Sequence, residues 1–258
     1  MSRMLAVFTF IVVVLVSHEF LMVSRIEGKY PPRGDFVDVE TARIHFLTRK
    51  KVANIENQGN APVVLIHGSS GSSADMELAF FDAFPDDIDL YAFDRPGIGW
   101  SKTKLSPLEM SNPMKQAEAI HMAVKKLKLD KPIIVGHSWG GAVAIAYAKQ
   151  FGNEISGAVS LAGVAYPWKG PYGWYDLLLT TPVFNHIFTR LFLNKMGQLY
   201  VPLSIKAIFE PEAARGDYRE AAQAEIILRP STIINNSYYS LNLRRHLKTM
   251  SEKYNDIK

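Results

Sequence analysis

Residues 131–148 constrain the fold of this chain more than any other segment. Lys-Pro-Ile-Ile-Val comes first, Gly-His-Ser-Trp-Gly follows at positions 136–140, and an alanine-rich run completes the segment. The apolar run is typical of a buried strand and the alanine-rich run of a helix. Gly136 and Gly140 leave room for a sharp turn between them, in which the backbone of Ser138 is strained. The segment therefore predicts a nucleophile elbow, with the Ser138 hydroxyl in a cleft above a sheet.

Other apolar runs predict that this strand belongs to a mainly parallel sheet. The predicted strands cover residues 36–39, 43–47, 62–66, 90–93, 131–135 and 158–161. Continuous apolar strands indicate a sheet that is covered on both faces. Helical patterns alternate with the strands, and the clearest helix begins with Asn112 as its N-cap and Pro113 at its first position. The order of elements predicts an α/β fold with helices on both faces of the sheet.

Two backbone amides are candidates for binding an oxyanion next to the nucleophile. Trp139 would begin the helix, where free N–H groups and the helix dipole favour developing negative charge. A second N–H must come from a loop after another strand, and the Ser69 amide is the candidate because His-Gly-Ser-Ser-Gly follows its strand in the right place. His67 and His137 are expected to be structural or to line the pocket, and neither is assigned as the base.

Three ordered motifs connect the chain to a known family. They are His67-Gly68, Asp-Arg-Pro-Gly-Ile-Gly-Trp-Ser at residues 94–101, and Gly-His-Ser-Trp-Gly-Gly at residues 136–141. In this order and at these intervals they resemble the α/β-hydrolase superfamily, and residues 25–39 and 209–236 look like a bacterial membrane-anchored branch of it. The resemblance implies an α/β-hydrolase fold with a helical lid and a serine nucleophile.

The chemistry that this resemblance implies is hydrolysis through an acyl-enzyme. The implied substrate is an ester, thioester or amide of a small apolar acyl group, and neither a cofactor nor a metal is implied. Cofactor-free perhydrolysis of the haloperoxidase type and hydrolysis of a carbon–carbon bond are alternatives within the family. A non-catalytic binding module of the same fold is an alternative outside the enzymes.

Residues 166–245 are expected to form a mostly helical lid inserted after the sixth strand. Its aromatic side chains are assigned mainly to the core of the lid, with a few facing the cleft; they are Trp168, Tyr172, Trp174, Tyr175, Phe184, Phe188 and Phe192. In residues 94–101, the glycines and the Asp94–Arg95 pair are expected to brace the sheet near the site.

A histidine base and the acid that orients it are missing from the predicted core. The histidines after Ser138 are His186 and His246, and both fall in the predicted lid. The resemblance implies an acid after a seventh strand and a histidine after an eighth. Both are expected beyond Lys258, so residues 166–258 are interpreted as the lid and the approach to those strands, in a chain incomplete at its C-terminus.

A competing interpretation completes the triad within the 258 residues. It makes residues 205–209 a late strand and residues 225–228 the final strand. Glu210 or Asp217 would then be the acid and His246 the base.

The N-terminal segment is apolar enough to cross a membrane. Residues 4–23 supply about twenty residues, the number needed to span a bilayer, and the ionisable pair His18-Glu19 lies near one end. The sequence predicts an uncleaved single-pass anchor over residues 1–24, a linker over residues 25–35 and a hydrolase core over residues 36–165. A cleaved signal peptide and a buried helix of a soluble protein are the alternatives. The expected location is a bacterial inner membrane, and basic residues on both flanks leave the orientation open.

Charge and cysteine content narrow the partners. The chain has 29 basic and 25 acidic residues without a dense basic block, so nucleic acid is not an expected partner. It has no cysteine, which excludes disulfides, thiol chemistry and cysteine-ligated metals. The partners expected from the sequence are a small-molecule acyl substrate and a membrane. The oligomeric state is left open.

Overall fold

A seven-stranded mixed sheet forms the centre of the protein in a computed structural model, which describes residues 2–52, 60–170, 173–191 and 193–256. The strands are β1 Asp35–Asp38, β2 Ala42–Arg49, β3 Val63–Ile66, β4 Leu90–Phe93, β5 Lys102–Thr103, β6 Ile133–His137 and β7 Gly157–Leu161. Six of them follow the order β1-β2-β4-β3-β6-β7, and β5 pairs with β2. The pairs β4–β3, β3–β6 and β6–β7 are parallel, whereas β1, β2 and β5 pair antiparallel. The six longer strands lie within two residues of the predicted bounds.

Helices surround this sheet and follow its last strand. They are α1 Ser2–Lys29, α2 Ser73–Phe80, α3 Pro107–Met110, α4 Pro113–Lys126, α5 Trp139–Phe151, α6 Trp174–Thr180, α7 Phe184–Leu191, α8 Leu193–Phe209, α9 Tyr218–Ala221 and α10 Pro230–Ser251. Short 3-10 helices cover Gly152–Glu154, Ala224–Leu228 and Tyr254–Asp256. As predicted, the Asn112 side chain caps α4 by accepting from the Met114 amide, and Pro113 is its first residue.

The strand β3 shows how the sheet comes to be covered on both faces. Its four side chains are buried, and they alternate between two hydrophobic clusters. Val64 and Ile66 pack with α4 and α5, whereas Val63 and Leu65 pack with α2. Because successive side chains of a strand point to opposite faces, a continuous apolar strand needs helices on both sides. The predicted α/β-hydrolase architecture is confirmed.

The segment after β7 is helical, so the two strands that the competing interpretation places there are wrong. Residues 205–209, its proposed late strand, form the end of α8, and residues 225–228 lie in a 3-10 helix. The apolar residues of α8 recur at helical spacing: Val201 and Ile205 share a face and pack against neighbouring apolar residues. This period of about four residues outweighs the short apolar run that suggested a strand.

The N-terminal helix α1 is longer than the predicted anchor. It continues to Lys29, so five residues assigned to the linker are helical, and Pro31-Pro32 follows directly. Met22, Ile26 and Tyr30 recur every fourth residue and are buried, which gives the end of the helix a packing face. By length and composition α1 can cross a membrane; a signal sequence or the core helix of a soluble protein meets the same criterion.

Candidate active site

Ser138 occupies the turn between β6 and α5 with a backbone conformation that is rare for a residue carrying a Cβ. Its φ is +51° and its ψ is −115°. Three backbone hydrogen bonds hold the turn: the Ser138 amide donates to Leu161 O at 2.9 Å, and the Ser138 carbonyl accepts from Gly141 N at 2.9 Å and from Val164 N at 3.1 Å. The surroundings therefore fix a strained conformation, which is the situation in which strain persists at functional sites.

Glycines on both sides of Ser138 allow the sheet and the helix to approach closely. A Cβ on Gly136 would overlap the backbone carbonyl of Gly140. A Cβ on Gly140 would lie 2.6 Å from His67 O and would overlap the carbonyl of Ile66. The obstructing atoms belong to the backbone of β3, of the residue that follows it and of α5, so they cannot move without displacing the sheet or the helix.

The loop after β3 lies against the turn. A Cβ on Gly68 would be 3.1 Å from the Cβ of Ser138. The next residue, Ser69, donates through its hydroxyl to Asn236 Oδ1 at 3.0 Å, and the Ser70 amide donates to the same oxygen at 3.0 Å. Within the described part of the chain, the Ser69 amide itself donates to no acceptor. Trp139 is the first residue of α5, where a backbone N–H has no partner inside the helix.

His67 has a structural role, as the sequence predicts. It is fully buried, its Nε2 accepts from the Arg95 amide at 3.0 Å, and its Nδ1 lies 2.8 Å from Gly68 O. Burial, helped by the positive charge of Arg95, lowers the pKa of His67 to about 3. The ring is therefore neutral and engaged at both nitrogens. The side chain of His137, which was expected to pack or to line the pocket, is instead exposed.

Arg95 connects the two segments that carry the candidate amides, a role that the sequence analysis missed. Its guanidinium is fully buried and lies 4.3 Å from the centre of the Trp139 ring. One nitrogen donates to Gly68 O at 3.1 Å and another to Gln116 Oε1 at 3.3 Å. Burial lowers the pKa of Arg95 to about 9. Asp94 and Arg95 both brace the surroundings of the site, but they do so separately, because their side chains hydrogen-bond to different partners.

Asp94 connects the antiparallel strand β2 to the start of α2 and to the loop after β4. Its carboxylate accepts from His45 Nδ1 at 2.8 Å, from the Ser73 amide at 2.6 Å and from the Trp100 amide at 2.7 Å. Burial by itself would raise the pKa of Asp94, but the hydrogen bond and the charge of His45 bring it below its ordinary value. Burial lowers the pKa of His45, and the same interaction with Asp94 outweighs burial and raises it.

The triad candidates named from the sequence are engaged elsewhere. Glu210 is exposed and lies 3.9 Å from Lys206, and Asp217 forms an exposed ion pair with Arg215. His246 Nε2 lies 3.1 Å from Ser111 Oγ, and burial lowers the pKa of its ring. The side chain of His186 lies outside the described residues. Among the described residues, no histidine or carboxylate hydrogen-bonds the Ser138 hydroxyl, and no group of three His, Asp or Glu could hold a metal ion.

An apolar cavity of about 600 Å³ lies between the loop after β3 and the lid. One end is polar, with Ser69, Ser70, Asn236 and Ser240, while Ser138 itself is not among the lining residues. The remaining wall is mainly apolar and comes from α6, α8, the segment before α10 and the first turn of α10; it includes Leu179, Met196, Val201, Ile205, Ile226, Leu228 and Ile233. This size and this division into a polar end and an apolar body are typical of a site for a small amphiphilic ligand.

A half-buried carboxyl group lies in the cavity wall. Asp75 accepts from the Tyr218 hydroxyl at 2.7 Å and from the Ser72 amide at 2.7 Å. Burial raises the pKa of Asp75 to about 6 in spite of these hydrogen bonds. The Asp75–Tyr218 contact joins α2 of the core to α9 of the lid.

The lid aromatics divide differently from the prediction. Trp174, Tyr175 and Phe188 line the cavity, as expected for a few of them. Phe184 is mainly exposed and does not line the cavity, so its assignment to the lid core is wrong. Tyr172 and Phe192 lie outside the described residues.

Comparison with known proteins agrees with the fold. A family model described as alpha/beta hydrolase fold matches residues 61–240. A proline iminopeptidase of Saccharolobus solfataricus is 29% identical over 195 residues, covering 75% of this chain and 53% of that protein. A rat 1-acylglycerol-3-phosphate O-acyltransferase, ABHD5, is 32% identical over 111 residues, covering 43% of this chain and 30% of that protein. The chain thus spans less than two thirds of the length of either relative.

A solved structure shows the same fold at low sequence identity. The N-acyl homoserine lactonase AidH, complexed with N-butanoyl homoserine, aligns with a TM-score of 0.55 and 16% identity, covering 85% of this chain and 70% of that one. At this identity the likeness concerns the fold alone.

Proposed function

Since the chain belongs to the alpha/beta hydrolase fold family, we propose that it is a serine hydrolase whose nucleophile is Ser138. The observation that carries the proposal is the backbone of Ser138, held at a positive φ between a buried strand and a helix N-terminus. This arrangement places the serine at the start of α5 with the Gly68 loop beside it. A hydroxyl there is suited to attack a carbonyl carbon.

In the proposed reaction, the Ser138 oxygen bonds to the carbonyl carbon of an ester, thioester or amide. A histidine takes the hydroxyl proton and returns it to the leaving group, which departs as the acyl-enzyme forms; water then releases the acid by the same steps. The amides of Ser69 and Trp139 are proposed to bind the oxyanion, and loss of one such donor costs about 3 kcal/mol of barrier. The positions of the base and the acid stay predictions from the sequence resemblance.

The proposed acyl group is apolar and occupies the lid cavity. The polar end of the cavity begins at Ser69, one residue after the glycine that lies against Ser138. A volume of about 600 Å³ is more than a small acyl group fills. We therefore propose a substrate with an acyl chain longer than the sequence analysis assumed. The relatives support acyl or amide chemistry in general, since their names include an acyltransferase and a peptidase.

Membrane attachment through α1 is a second part of the proposal. The residues of α1 before Glu19 whose side chains are described are exposed, and most of them are apolar. We propose that this part spans a bilayer once and that the protein is a single-pass protein of a bacterial inner membrane.

Labelling by a fluorophosphonate tests the catalytic proposal. The protein should react covalently at Ser138, and the Ser138→Ala variant should not react. Ser251→Ala, which changes a serine at the end of α10, is the matched control and should label like the wild type. Absence of labelling in the folded wild-type protein would contradict the proposal.

A non-catalytic binding module is the second candidate. Two observations favour it. The protein has a well-formed apolar cavity, and no histidine among the described residues hydrogen-bonds to Ser138. In that case an apolar fluorescent probe should bind in the cavity with equal affinity in the wild type and in Ser138→Ala, while the fluorophosphonate leaves both unlabelled.

A further inference from the structure

The lid carries an apolar surface that faces solvent. It consists of exposed apolar side chains on three consecutive helices that contact each other, namely Trp174 and Leu177 on α6, Phe184 and Ile187 on α7, and Leu199 and Leu203 on α8. We call these six side chains the lid apolar surface. Monomeric soluble proteins rarely expose large contiguous apolar patches, and those that exist usually mark a site of interaction.

The leucines of this surface are not needed for the packing of the lid. Along α8, Val201 and Ile205 point inward and belong to a hydrophobic cluster. Leu199 and Leu203 are four residues apart on the opposite side of the helix, with exposed fractions of 72% and 65%. The helix is therefore apolar on both sides, which a helix that met only the lid core and water would not require.

The end of α1 is fixed to the same helices. Met22 and Ile26 are buried in the cluster that contains Val201, and α1 also contacts α7. Ion pairs add to this packing: Lys29 Nζ lies 2.8 Å from Glu225 Oε1, and Arg229 Nη1 lies 3.0 Å from Glu27 Oε1. The exposed apolar part of α1 thus begins where the helix leaves the lid. Whatever surrounds that part of α1 lies next to the lid.

The cavity also reaches the lid apolar surface. Trp174 belongs to that surface and lines the cavity, and Tyr200 on α8 likewise lines the cavity and is mainly exposed. Tryptophan and tyrosine are enriched at the boundary between lipid headgroups and acyl chains, because one part of the ring system is apolar and another part is polar.

We propose that the lid apolar surface lies in the headgroup–acyl boundary of the bilayer that α1 spans, so that the cavity receives an acyl amphiphile directly from the lipid. The occupant of the surface is therefore lipid, and the argument for it is the continuity between the surface and α1. This inference rests on the membrane attachment proposed above.

Fluorescence quenching by lipid tests the proposal in the full chain. The chain contains no cysteine, so a single introduced cysteine can carry an environment-sensitive fluorophore without any further change. Leu199→Cys and Leu203→Cys report on the lid apolar surface. Leu108→Cys is the matched control, because Leu108 is an exposed leucine on the short helix α3. Val13→Cys reports on the anchor.

Each labelled protein is reconstituted into phosphatidylcholine–phosphatidylglycerol vesicles with and without nitroxide-labelled lipid. The proposal expects nitroxide lipid to quench the fluorophores at positions 199 and 203 as strongly as the one at position 13, while the one at Leu108 keeps its intensity. Positions 199 and 203 remaining as bright as Leu108, with position 13 quenched, would overturn the inference and leave the anchor intact.

The remaining outcomes separate this inference from the proposed anchor. Loss of quenching at positions 13, 199 and 203 together would overturn both. Quenching at 199 and 203 without quenching at 13 would support lipid contact by the lid and refute the span. A blue shift at 199 and 203 that nitroxide lipid does not quench would assign the surface to a second copy or another protein, which contradicts the proposal.

Discussion

Replacing Ser138 by glycine is expected to leave a more stable protein than replacing it by alanine. Both substitutions remove the hydroxyl, and they differ only in the Cβ atom. At φ +51° and ψ −115° a residue with a Cβ carries strain of about 1–3 kcal/mol. Alanine keeps this strain and glycine releases it.

Two opposing effects reduce the gain from glycine. The greater freedom of glycine in the unfolded chain costs about 0.5–1 kcal/mol. Loss of the half-buried Cβ costs roughly another 0.4 kcal/mol, about half the value of a fully buried methylene. With strain of about 2 kcal/mol, Ser138→Gly should be more stable than Ser138→Ala by about 1 kcal/mol. In a domain of this size that corresponds to a melting temperature roughly 2–4 °C higher.

Thermal unfolding in detergent measures this difference. Ala148→Gly, in the interior of the same helix, is the matched control and should lose about 1 kcal/mol relative to wild type, as glycine does at an ordinary helical position. Neither variant of Ser138 should react with a fluorophosphonate. If Ser138→Gly unfolds at or below the temperature of Ser138→Ala, the backbone at this position is not strained, and the argument for a nucleophile elbow fails.

Three further predictions concern the surroundings of the site. Gly136→Ala should lower the free energy of unfolding by about 1–3 kcal/mol because its Cβ meets backbone, whereas Gly157→Ala, whose Cβ meets open space, should stay within about 0.5 kcal/mol of wild type in the same thermal assay. The pKa of Asp75 rises from 3.8 to about 6 on folding, so its ionisation destabilises the native state and stability falls as the pH rises through 6. Asp75→Asn should therefore raise the free energy of unfolding by up to about 3 kcal/mol at pH 8 and change it little at pH 4, as thermal unfolding at the two pH values would show. An equal increase at both pH values would contradict the raised pKa of Asp75. Arg95→Lys should cost about 2 kcal/mol and slow fluorophosphonate labelling, because an ammonium group cannot reproduce the planar contacts of the guanidinium with Gly68 and its neighbours; labelling at the wild-type rate would show that Arg95 does not position the site.

The sheet and the turn could be predicted from sequence because their determinants are local. A buried strand needs only an apolar run, and the turn at Ser138 needs glycines at fixed distances along the chain. The steric reason for Gly136 also follows from local geometry, since a Cβ there would meet the backbone of Gly140 and Gly141, whereas the obstruction at Gly140 comes from Ile66 and His67 and depends on how β3 packs against the turn.

The contacts of Asp94 and Arg95 could not be predicted, because their partners are distant in the chain. Asp94 pairs with His45, which is 49 positions away, and Arg95 lies over Trp139. Sequence proximity suggested instead that Asp94 and Arg95 act together. The exposure of lid residues such as Trp174 and Phe184 could not be predicted for a related reason. It depends on what surrounds the lid, and the sequence does not distinguish an aromatic residue in a core from one at a surface.

The continuity of α1 has a mechanical consequence. The helix runs without interruption from Ser2 to Lys29, and its last turns are bound to the lid by packing and ion pairs. A spanning helix adjusts to a bilayer of different thickness mainly by tilting. If α1 spans a bilayer as proposed, a change in its tilt would move the lid as well, because the helix is unbroken between the proposed span and the end that packs on the lid. The rate of a water-soluble substrate would then vary with the acyl-chain length of the host lipids, which a flexible tether would prevent.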